Sequence, residues 1–377
     1  MIWIIICYVL LVGYIFLIAF YYRHWLAVAE FSSITKNTTT FISVIIPARN
    51  EAANIRNCID GLLNQTYSPT QFEIIVVDDH STDNTSAIVQ RYEDPRVKLI
   101  ELKKWVDDSK QGTGYKKLAI ETAIAQSAGQ LIVTTDADCQ FDPAWLSTME
   151  AYYRATTAKL VAGPVRMAPG QSFLSKFQSL DFAILQGITA ASMHARFHPM
   201  GNGANLAYEK SAFVETGGYH DDQLASGDDM MLIKKIVEKY PSRMAYLKSN
   251  LAIVDTKPEA SWKAFFSQRI RWAGKTGRYK DPKLVAVWMG VYLLNFFLTI
   301  AFIYACFQPF YFTYFILLLL LKTGIEWKFV KEVLGFFNLQ RLLKWFLPSQ
   351  PLHILYIVIT GILSRVGGAT WKGRRIK

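Results

Sequence analysis

Two stretches, IIVVDD at residues 74–79 and LIVTTDAD at residues 131–138, each join a hydrophobic run to paired carboxylates. Unbroken apolar runs of this kind are typical of strands in parallel sheets that are covered on both faces. Ligands of open α/β sheets bind outside the carboxyl ends of the strands. Aspartates gathered at two such ends repel one another, so we expect a divalent cation between them that carries a phosphorylated ligand.

Strands and helices alternate around these stretches, within residues 41–280. Alternation of this kind indicates βαβ units and a mostly parallel, Rossmann-like sheet, which places the domain in the α/β class. The predicted strands are Phe41–Pro47, Phe72–Val77, Val97–Glu101 and Leu131–Thr135. The predicted helices are Glu51–Gln65, Thr82–Tyr92 and Lys116–Gln126.

The bulk composition points to a membrane rather than to nucleic acid. The chain has 377 residues, 51% of them hydrophobic, and a formal net charge of +11. Such a charge fits either nucleic-acid binding or a membrane-surface protein that handles anionic ligands. We favour the second interpretation, and expect no nucleic-acid partner, because many basic residues lie beside apolar stretches. The four cysteines have a spacing that suits neither a metal site nor a disulfide framework.

Residues 1–24 form the first predicted transmembrane segment. Ile2 to Tyr22 is almost wholly apolar and about long enough to span a bilayer. The first charged residue is Arg23, which follows the span, and nothing basic precedes it. The positive-inside rule therefore places the N-terminus outside and the following domain in the cytosol.

The C-terminal part of the chain is predicted to be membrane-associated throughout. Residues 284–328 are predicted to form a pair of transmembrane helices interrupted at Gln308-Pro309. Residues 330–347 are predicted to form an interfacial amphipathic helix, and an ordinary soluble helix is the alternative for this segment. Residues 349–366 read as a transmembrane or re-entrant segment, and residues 367–377 as a basic tail. Four full spans would leave that tail outside, against the charge rule, so we expect the last segment to be re-entrant.

Six motifs follow one another between Phe41 and Trp272: VIIPARNEAANI, IIVVDDHSTDNT, GYKKLAIETAI, TTDADC, SGDDMML and QRIRW. Their order resembles that of glycosyltransferase family 2, inverting nucleotide-sugar transferases of the GT-A fold. The flanking membrane segments are similar to those of the family's integral-membrane members. The resemblance implies a cytosolic GT-A domain with flanking transmembrane helices.

The resemblance also implies which residues bind the donor and the metal. Asp79 is expected to accept from the nucleobase, and Asp138, with Asp136, to hold Mg²⁺ or Mn²⁺. The D-x-D spacing suits this role, because side chains at i and i+2 of a strand point the same way, and these ions favour oxygen ligands. The full expected donor set is Pro47, Arg49, Glu51, Asp78, Asp79, Lys116, Asp136, Gln268, Arg269, Arg271 and Trp272.

The catalytic expectation centres on SGDDMML, where Asp229 stands at the position of the family's catalytic base and Asp228 precedes it. Sugar transfer to a hydroxyl needs a base that takes the proton as the new bond forms. Asp228 replaces the more usual glutamate, and Met231 stands where many relatives have a further aspartate. On the acceptor side, Gly201, Asn202 and Gly203 resemble a family loop, with a plain tight turn as the alternative.

The sequence thus predicts a membrane-bound inverting glycosyltransferase of the bacterial cell membrane, with its catalytic domain facing the cytosol. The expected partners are a nucleotide-diphospho-sugar donor, a lipid, lipid-linked or glycan acceptor, and membrane lipids. Two alternatives stay open: a processive polysaccharide synthase, which QRIRW favours, and a non-catalytic membrane receptor for sugar nucleotides. Product length distinguishes the synthase from an enzyme that adds a single sugar. Donor turnover distinguishes an enzyme from the non-catalytic receptor.

Overall fold

The structure, a computed structural model, describes residues 2–34, 39–104, 115–219, 228–275, 281–366, 369–371 and 374–376. Its helices are α1 (Ile2–Ala27), α2 (Ile55–Leu63), α3 (Thr85–Val89), α4 (Tyr115–Gln126), α5 (Trp145–Thr156), α6 (Phe173–Ala195), α7 (Lys210–Glu215), α8 (Asp228–Lys239), α9 (Trp262–Lys275), α10 (Pro282–Phe307), α11 (Phe310–Phe336) and α12 (Phe346–Val366). Its strands are β1 (Ile42–Ala48), β2 (Phe72–Asp78), β3 (Val97–Glu101), β4 (Leu131–Thr134), β5 (Gln140–Phe141), β6 (Leu160–Ala162), β7 (Val165–Met167), β8 (Leu206–Glu209), β9 (Met244–Tyr246), β10 (Val254–Thr256), β11 (Ala369–Trp371) and β12 (Arg374–Ile376).

A seven-stranded sheet in the order β3-β2-β1-β4-β8-β6-β9 forms the centre of the domain. The pairs β3–β2, β2–β1 and β1–β4 are parallel, and β8 runs antiparallel to both of its neighbours. The predicted α/β class with a mostly parallel sheet is therefore confirmed. Because β1, β2 and β4 are parallel neighbours, the three segments that follow them meet at one edge of the sheet.

The central strands are buried on both faces, as their unbroken hydrophobic runs predict. Alternate residues of each strand point to opposite faces. Ile45 and Ile75 face one hydrophobic cluster, whereas Val44 and Ile74 face another. The first cluster continues into helices at the two ends of the chain and includes Trp25 of α1. The α/β domain and the apolar helices therefore share one core.

A smaller sheet in the order β5-β10-β7 lies beside the main one. Strand β10 pairs antiparallel with β5, which follows the TTDAD segment, and parallel with β7. This arrangement carries the end of β10 to the D-x-D residues, where Thr256 donates a hydrogen bond from Oγ1 to Oδ2 of Asp138 at 3.1 Å.

In the described part of the chain, four helical segments have the length and apolar composition needed to cross a membrane: Ile5–Ala27, Pro282–Phe307, Phe310–Phe336 and Gln340–Val366. The last segment joins the 3₁₀ turn Gln340–Trp345 to α12. Helix α10 begins with Pro282 at its first position and is capped by Asp281, whose Oδ1 accepts from the amide of Lys283 at 2.9 Å.

The predicted single amphipathic helix over residues 330–347 is corrected by the structure. Helix α11 continues to Phe336, the backbone of Asn338 has φ 57°, and the 3₁₀ turn then leads into α12. The carbonyl of Phe337 accepts from Nη1 of Arg166 at 3.0 Å, so this turn is attached to the α/β domain. A left-handed residue breaks the helix, and the amphipathic pattern spans that break.

Candidate active site

A cavity of about 580 Å³ opens at the carboxyl ends of β1, β2 and β4. The segments after these strands line one side of the cavity, and α6, α8, α9 and the start of α10 contribute to the others. Most residues expected at the site meet here. The expected residues that line the cavity are Pro47, Arg49, Glu51, Asp79, Lys116, Asp136, Asp138, Gly201, Asn202, Gly203, Asp229, Gln268, Arg271 and Trp272.

The end of β2 is held by an arginine from the segment after β1. Nη1 of Arg49 donates to the backbone carbonyl of Asp79 at 2.8 Å and lies 3.8 Å from the Oδ1 atom of that residue. Asn50 and His80 have positive φ angles of 51° and 53°, so both chains turn sharply as they leave the sheet. Nδ1 of His80 lies 2.9 Å from Oδ1 of Asp79, which fixes the orientation of that carboxylate.

The two D-x-D carboxylates have different surroundings. Asp136 is partly exposed, and its Oδ1 accepts from Nζ of Lys116 at 3.0 Å. Asp138 is more enclosed. Burial, followed by the charges of Asp136 and Glu51, raises the pKa of Asp138 to about 6. The Asp138 carboxylate therefore has a charge that its protein neighbours leave poorly compensated.

The residues present fit a divalent cation. Six carboxylates and four cationic side chains line the cavity, so two negative charges remain unbalanced. Among the residues that the structure describes, no group of three or more His, Cys, Asp and Glu side chains is placed to hold a metal on its own. Mg²⁺ and related ions are usually held by one or two carboxylates together with substrate phosphates and water, and Asp136 and Asp138 match that donor set.

Asp229 is the second residue of α8, where the positive end of the helix dipole favours a carboxylate. Its Oδ1 accepts from the amide of Met230 at 2.8 Å, and its Oδ2 accepts from the amide of Gly203 at 3.3 Å. A Cβ on Gly203 would lie 3.6 Å from Nζ of Lys116 and 3.7 Å from Cβ of Asp229. The loop that carries Gly203 therefore runs between these two charged side chains.

Helix α9 places three residues of QRIRW at the cavity. Gln268, Arg271 and Trp272 lie at i, i+3 and i+4, which share one face of a helix. Nε2 of Gln268 donates to Oε1 of Glu259 at 2.9 Å, while its buried Oε1 has no hydrogen-bond partner among the described residues. Burial lowers the pKa of Arg271, although the nearby Glu259 and Asp136 oppose that effect.

Three expected site residues lie elsewhere or are only partly described. Arg269 lies on the other side of α9, where its Nη2 pairs with Oδ2 of Asp181 at 2.8 Å and its guanidinium stacks over the Trp272 ring. Asp78 is fully buried beneath the turn after β2, and its Oδ2 accepts from the amide of Ser81 at 3.3 Å. Asp228 begins α8, and its side chain lies outside the described residues. We therefore do not propose Arg269 or Asp78 as donor contacts.

The cavity also contains residues that no motif indicated. The last residue of β10, Thr256, and two residues of the segment after it, Lys257 and Glu259, line the cavity. Nζ of Lys257 donates to Oδ1 of Asn54 at 2.8 Å. Trp288 of α10 lines the cavity as well. The TKPE sequence at residues 256–259 was the available signal for Thr256, Lys257 and Glu259. Polar residues at the end of a strand repeat the pattern seen at β2 and β4. Nothing local marked Trp288.

Family models match most of the described domain. The model for glycosyl transferase family 2 matches residues 43–216, and the model for glycosyl transferase family group 2 matches residues 131–326, which is more than half of the chain. The chain belongs to glycosyltransferase family 2. The matched ranges contain the D-x-D residues, Asp229 and the QRIRW helix.

Named relatives agree with the family at the level of activity. Glycosyltransferase AglE of Haloferax volcanii is 30% identical over 212 residues, which cover 54% of this chain and 63% of that protein. The beta-monoglucosyldiacylglycerol synthase of Nostoc is 28% identical over 250 residues, which cover 64% and 50% of the two chains. The chain thus matches about half to two thirds of the length of these relatives.

Among solved structures, a mannosyltransferase from Pyrobaculum calidifontis, in complex with GDP-Man and Mn²⁺, is similar over 93% of this chain and 98% of its own length. The TM-score is 0.61 and the sequence identity is 20%. A likeness at that identity concerns the fold, and it extends beyond the catalytic domain to the apolar helices. The GT-A fold expected from the motifs is therefore confirmed.

Proposed function

We propose that this family 2 member is a membrane-bound, metal-dependent, inverting enzyme that moves a sugar from a nucleotide-diphospho-sugar to a lipid or glycan hydroxyl. The observation that carries the proposal is the meeting of Asp136, Asp138 and Asp229 in one cavity with Lys116 and Arg271. Carboxylates suited to a metal, a carboxylate suited to a base and cations suited to a diphosphate are the parts that this reaction needs.

In the proposed mechanism, Asp229 takes the proton of the acceptor hydroxyl as its oxygen attacks the anomeric carbon. The bond from that carbon to the diphosphate oxygen breaks on the opposite face, so the configuration inverts and the nucleoside diphosphate leaves with the bonding electrons. Lys116 and Arg271 are placed to stabilise the developing charge, and the planar fork of an arginine suits phosphate oxygens. Asp136 and Asp138 would hold Mg²⁺ or Mn²⁺, which supplies electrostatic stabilisation of the diphosphate.

Similar proteins support a nucleotide-sugar donor and a membrane acceptor. The Pyrobaculum mannosyltransferase binds GDP-Man with Mn²⁺, and the Nostoc relative is named for the synthesis of a glucosylated diacylglycerol. Both are compatible with a cavity that has carboxylates at one side and a membrane helix at the other. A screen of nucleotide sugars would identify the nucleobase and the sugar that this chain accepts.

A binding experiment tests the proposed metal-dependent donor site. Purified protein in detergent is titrated with GDP and with UDP, each with Mn²⁺ and with EDTA. We expect binding that requires Mn²⁺ and is abolished by Asp138→Ala. Glu238→Ala is the matched control, because that carboxylate is exposed on α8 and pairs with Lys234 of the same helix at 3.6 Å. Unchanged Mn²⁺-dependent binding by Asp138→Ala would contradict the assignment.

A processive polysaccharide synthase is the second candidate function, because Gln268, Arg271 and Trp272 of QRIRW all line the cavity. The two candidates differ in their products. Radiolabelled donor incubated with membranes should give a single discrete product if one sugar is added. A ladder of increasing length would instead favour the synthase.

We also propose that α12 does not cross the bilayer. Near its start, Phe346 contacts Trp327, nine residues before the domain-side end of α11. Near its end, Gly361 abuts Tyr292, ten residues after the domain-side start of α10. At a rise of 1.5 Å per residue both points lie about 14–15 Å along those helices. Both ends of α12 are therefore at similar depth, and the strand β11 that follows lies against α9.

This arrangement supports three crossings and a C-terminus on the side of the catalytic domain, which the charge rule places in the cytosol. In intact spheroplasts, external protease should leave a C-terminal tag uncut, and in inverted vesicles it should remove the tag. A tag inserted at Gln308-Pro309, between α10 and α11, should behave in the opposite way. A C-terminal tag cut only from outside would overturn the proposal.

A further inference from the structure

We infer that the acceptor is an amphiphile that enters the cavity sideways from the bilayer, with its hydrocarbon chain passing between α6 and α10. The inference rests on the proposed function and narrows it, because a lipid or a soluble glycan is compatible with the catalytic groups alone. It assigns α6 and Trp288 of α10 to the acceptor, a role that none of the sequence motifs indicated.

The membrane side of the cavity has an apolar wall. Phe182, Leu185 and Thr189 lie on one face of α6 and line the cavity together. The hydroxyl of Thr189 is satisfied within its own helix, since Oγ1 donates to the carbonyl of Leu185 at 3.0 Å. Gln186 also lines the cavity from α6, and its Oε1 accepts from the amide of Val165 at 3.2 Å. Apart from that side-chain amide, this wall offers a ligand mainly hydrocarbon, in contrast to the carboxylates and amides at the ends of the strands.

Helix α10 closes the same side and also faces lipid. Trp288 lines the cavity six residues after Pro282, or about 9 Å along the helix. Its neighbours Val285 and Met289 are 37% and 48% exposed on a helix whose composition suits a bilayer. One short stretch of α10 thus has the catalytic cavity on one face and the hydrocarbon region beside it on another.

Apolar side chains also lie beside the residues proposed for catalysis and binding. Met230 follows Asp229 directly and lines the cavity with it, and Trp272 packs near Phe182 with ring centroids 6.2 Å apart. A headgroup hydroxyl at Asp229 would therefore have its attached chain beside apolar side chains. A glycan placed beside Phe182, Leu185 and Trp288 would lose hydration of its hydroxyls and find few hydrogen-bond partners, which is costly.

Trp288 has a second explanation, because tryptophans are enriched where helices leave the bilayer. Trp327 of α11 provides the comparison, since it is 40% exposed on a membrane helix and does not line the cavity. If Trp288 contacts the acceptor, its replacement changes acceptor use, and the replacement of Trp327 does not. If both act as interfacial anchors, the two replacements have similar effects.

Photo-crosslinking tests the entry of lipid directly, and it works even when the acceptor has not been identified. Leu185 and Thr189 are replaced singly by p-benzoylphenylalanine in cells whose lipids are labelled with ¹⁴C-acetate, and isolated membranes are irradiated. We expect labelled lipid adducts from at least one of these positions. Met289, which is exposed on α10, is the positive control, and Asn54, on the domain side of the cavity, is the negative control.

Labelling at Met289 with none at Leu185 or Thr189 would overturn the inference. So would equal labelling at Asn54, because lipid would then reach the cavity from any side. Mn²⁺-dependent GDP or UDP binding is measured on the same variants. Donor binding without lipid adducts overturns the lateral entry and leaves the proposed glycosyl transfer standing, whereas adducts without donor binding in the wild type contradict the proposed function.

A kinetic comparison supplies a second readout with membranes as the source of acceptor. Trp288→Ala should lower donor-dependent product formation at limiting lipid by about tenfold. Product formation should recover as lipid is added, because the replacement changes the KM for the lipid rather than kcat. Trp327→Ala should leave both unchanged. Equal effects of the two replacements would assign Trp288 to anchoring alone.

Discussion

The two sides of the cavity are built in different ways. The domain side consists of segments that directly follow β1, β2 and β4, so Arg49, Asp79, Asp136 and Asp138 are brought together by the order of parallel strands. The membrane side consists of α6, α9 and α10, whose residues are far apart in the sequence and meet only through packing. Contiguous motifs describe the first side well, and they describe the second incompletely.

Arg269 and Arg271 show the difference within one helix. They are two residues apart on α9, which corresponds to about 200° around the helix axis. Arg271 lines the cavity, whereas Arg269 is 5% exposed and pairs with Asp181 of α6. Oδ1 of Asp181 also accepts from the hydroxyl of Tyr356 in α12 at 2.8 Å. A motif that names both arginines therefore combines a cavity residue with a residue that fastens three helices together.

The largest effect is expected on the domain side, at the proposed base. Asp229→Asn keeps the shape of the side chain and can keep one of the two backbone contacts, because its amide nitrogen cannot accept from an N–H. Since it cannot take a proton, turnover should fall by about 10²-fold or more while Mn²⁺-dependent GDP or UDP binding stays intact. Product formation and binding are measured on one preparation, with Glu238→Gln as the control on the same helix. Near-full turnover would mean that another group is the base.

Substitutions in the helices of the membrane side should lower stability more than they lower turnover. Asp181→Ala leaves the buried Arg269 guanidinium without its carboxylate and should cost about 3–5 kcal/mol of unfolding free energy. Asp94→Ala removes a partly exposed pair with Arg96 and should cost about 1 kcal/mol or less. Thermal unfolding in detergent compares the two variants. Similar shifts in Tm for both would show that the Asp181 cluster does not hold α6, α9 and α12 together.

The cavity-facing arginine should be sensitive to geometry as well as to charge. Arg271→Ala should lower kcat/KM by about 10- to 100-fold, and Arg271→Lys should restore that loss only in part, because an ammonium lacks the planar fork. Arg269→Lys is the internal comparison and should change stability more than kcat/KM. Full recovery by Arg271→Lys would indicate that a point charge is sufficient at this position.

The smallest effect at neutral pH is expected at the junction of α1 with the domain. His198 is buried against Tyr21, and burial lowers its pKa to about 4, while Asp281 and Lys283 act in opposite directions. Because the unfolded chain holds the proton more tightly, this contribution to stability is complete above about pH 6.5 and declines as the pH falls toward 4, by about 1.4 kcal/mol per pH unit. Unfolding measured across that range should be flatter for His198→Gln. An unchanged slope of unfolding free energy against pH would show that protonation of His198 does not affect the stability of this junction.

Several features were predictable from the sequence for identifiable reasons. The strand ends at Asp78 and Thr134 follow from unbroken apolar runs, and the site at their carboxyl ends follows from parallel order. The helix over residues 330–347 was not predictable as the structure has it, because its periodicity continues across the left-handed Asn338. The role of Trp288 left no local signal, since it depends on which distant element packs beside α10.

The amino-acid sequence by itself determined the alternating α/β domain and the apolar segments of this family 2 member. It also determined the set of carboxylates at one edge of the sheet. These features follow from the sequence because hydrophobic periodicity and strand order are local properties of the chain. Only the tertiary structure decided that Arg269 is a buried partner of Asp181 and that α10 contributes Trp288 to the cavity. It also decided that α12 contacts Trp327 near its start and Tyr292 near its end. Those outcomes depend on packing between segments distant in sequence, where direction around a helix and depth along it are set by the neighbouring helices.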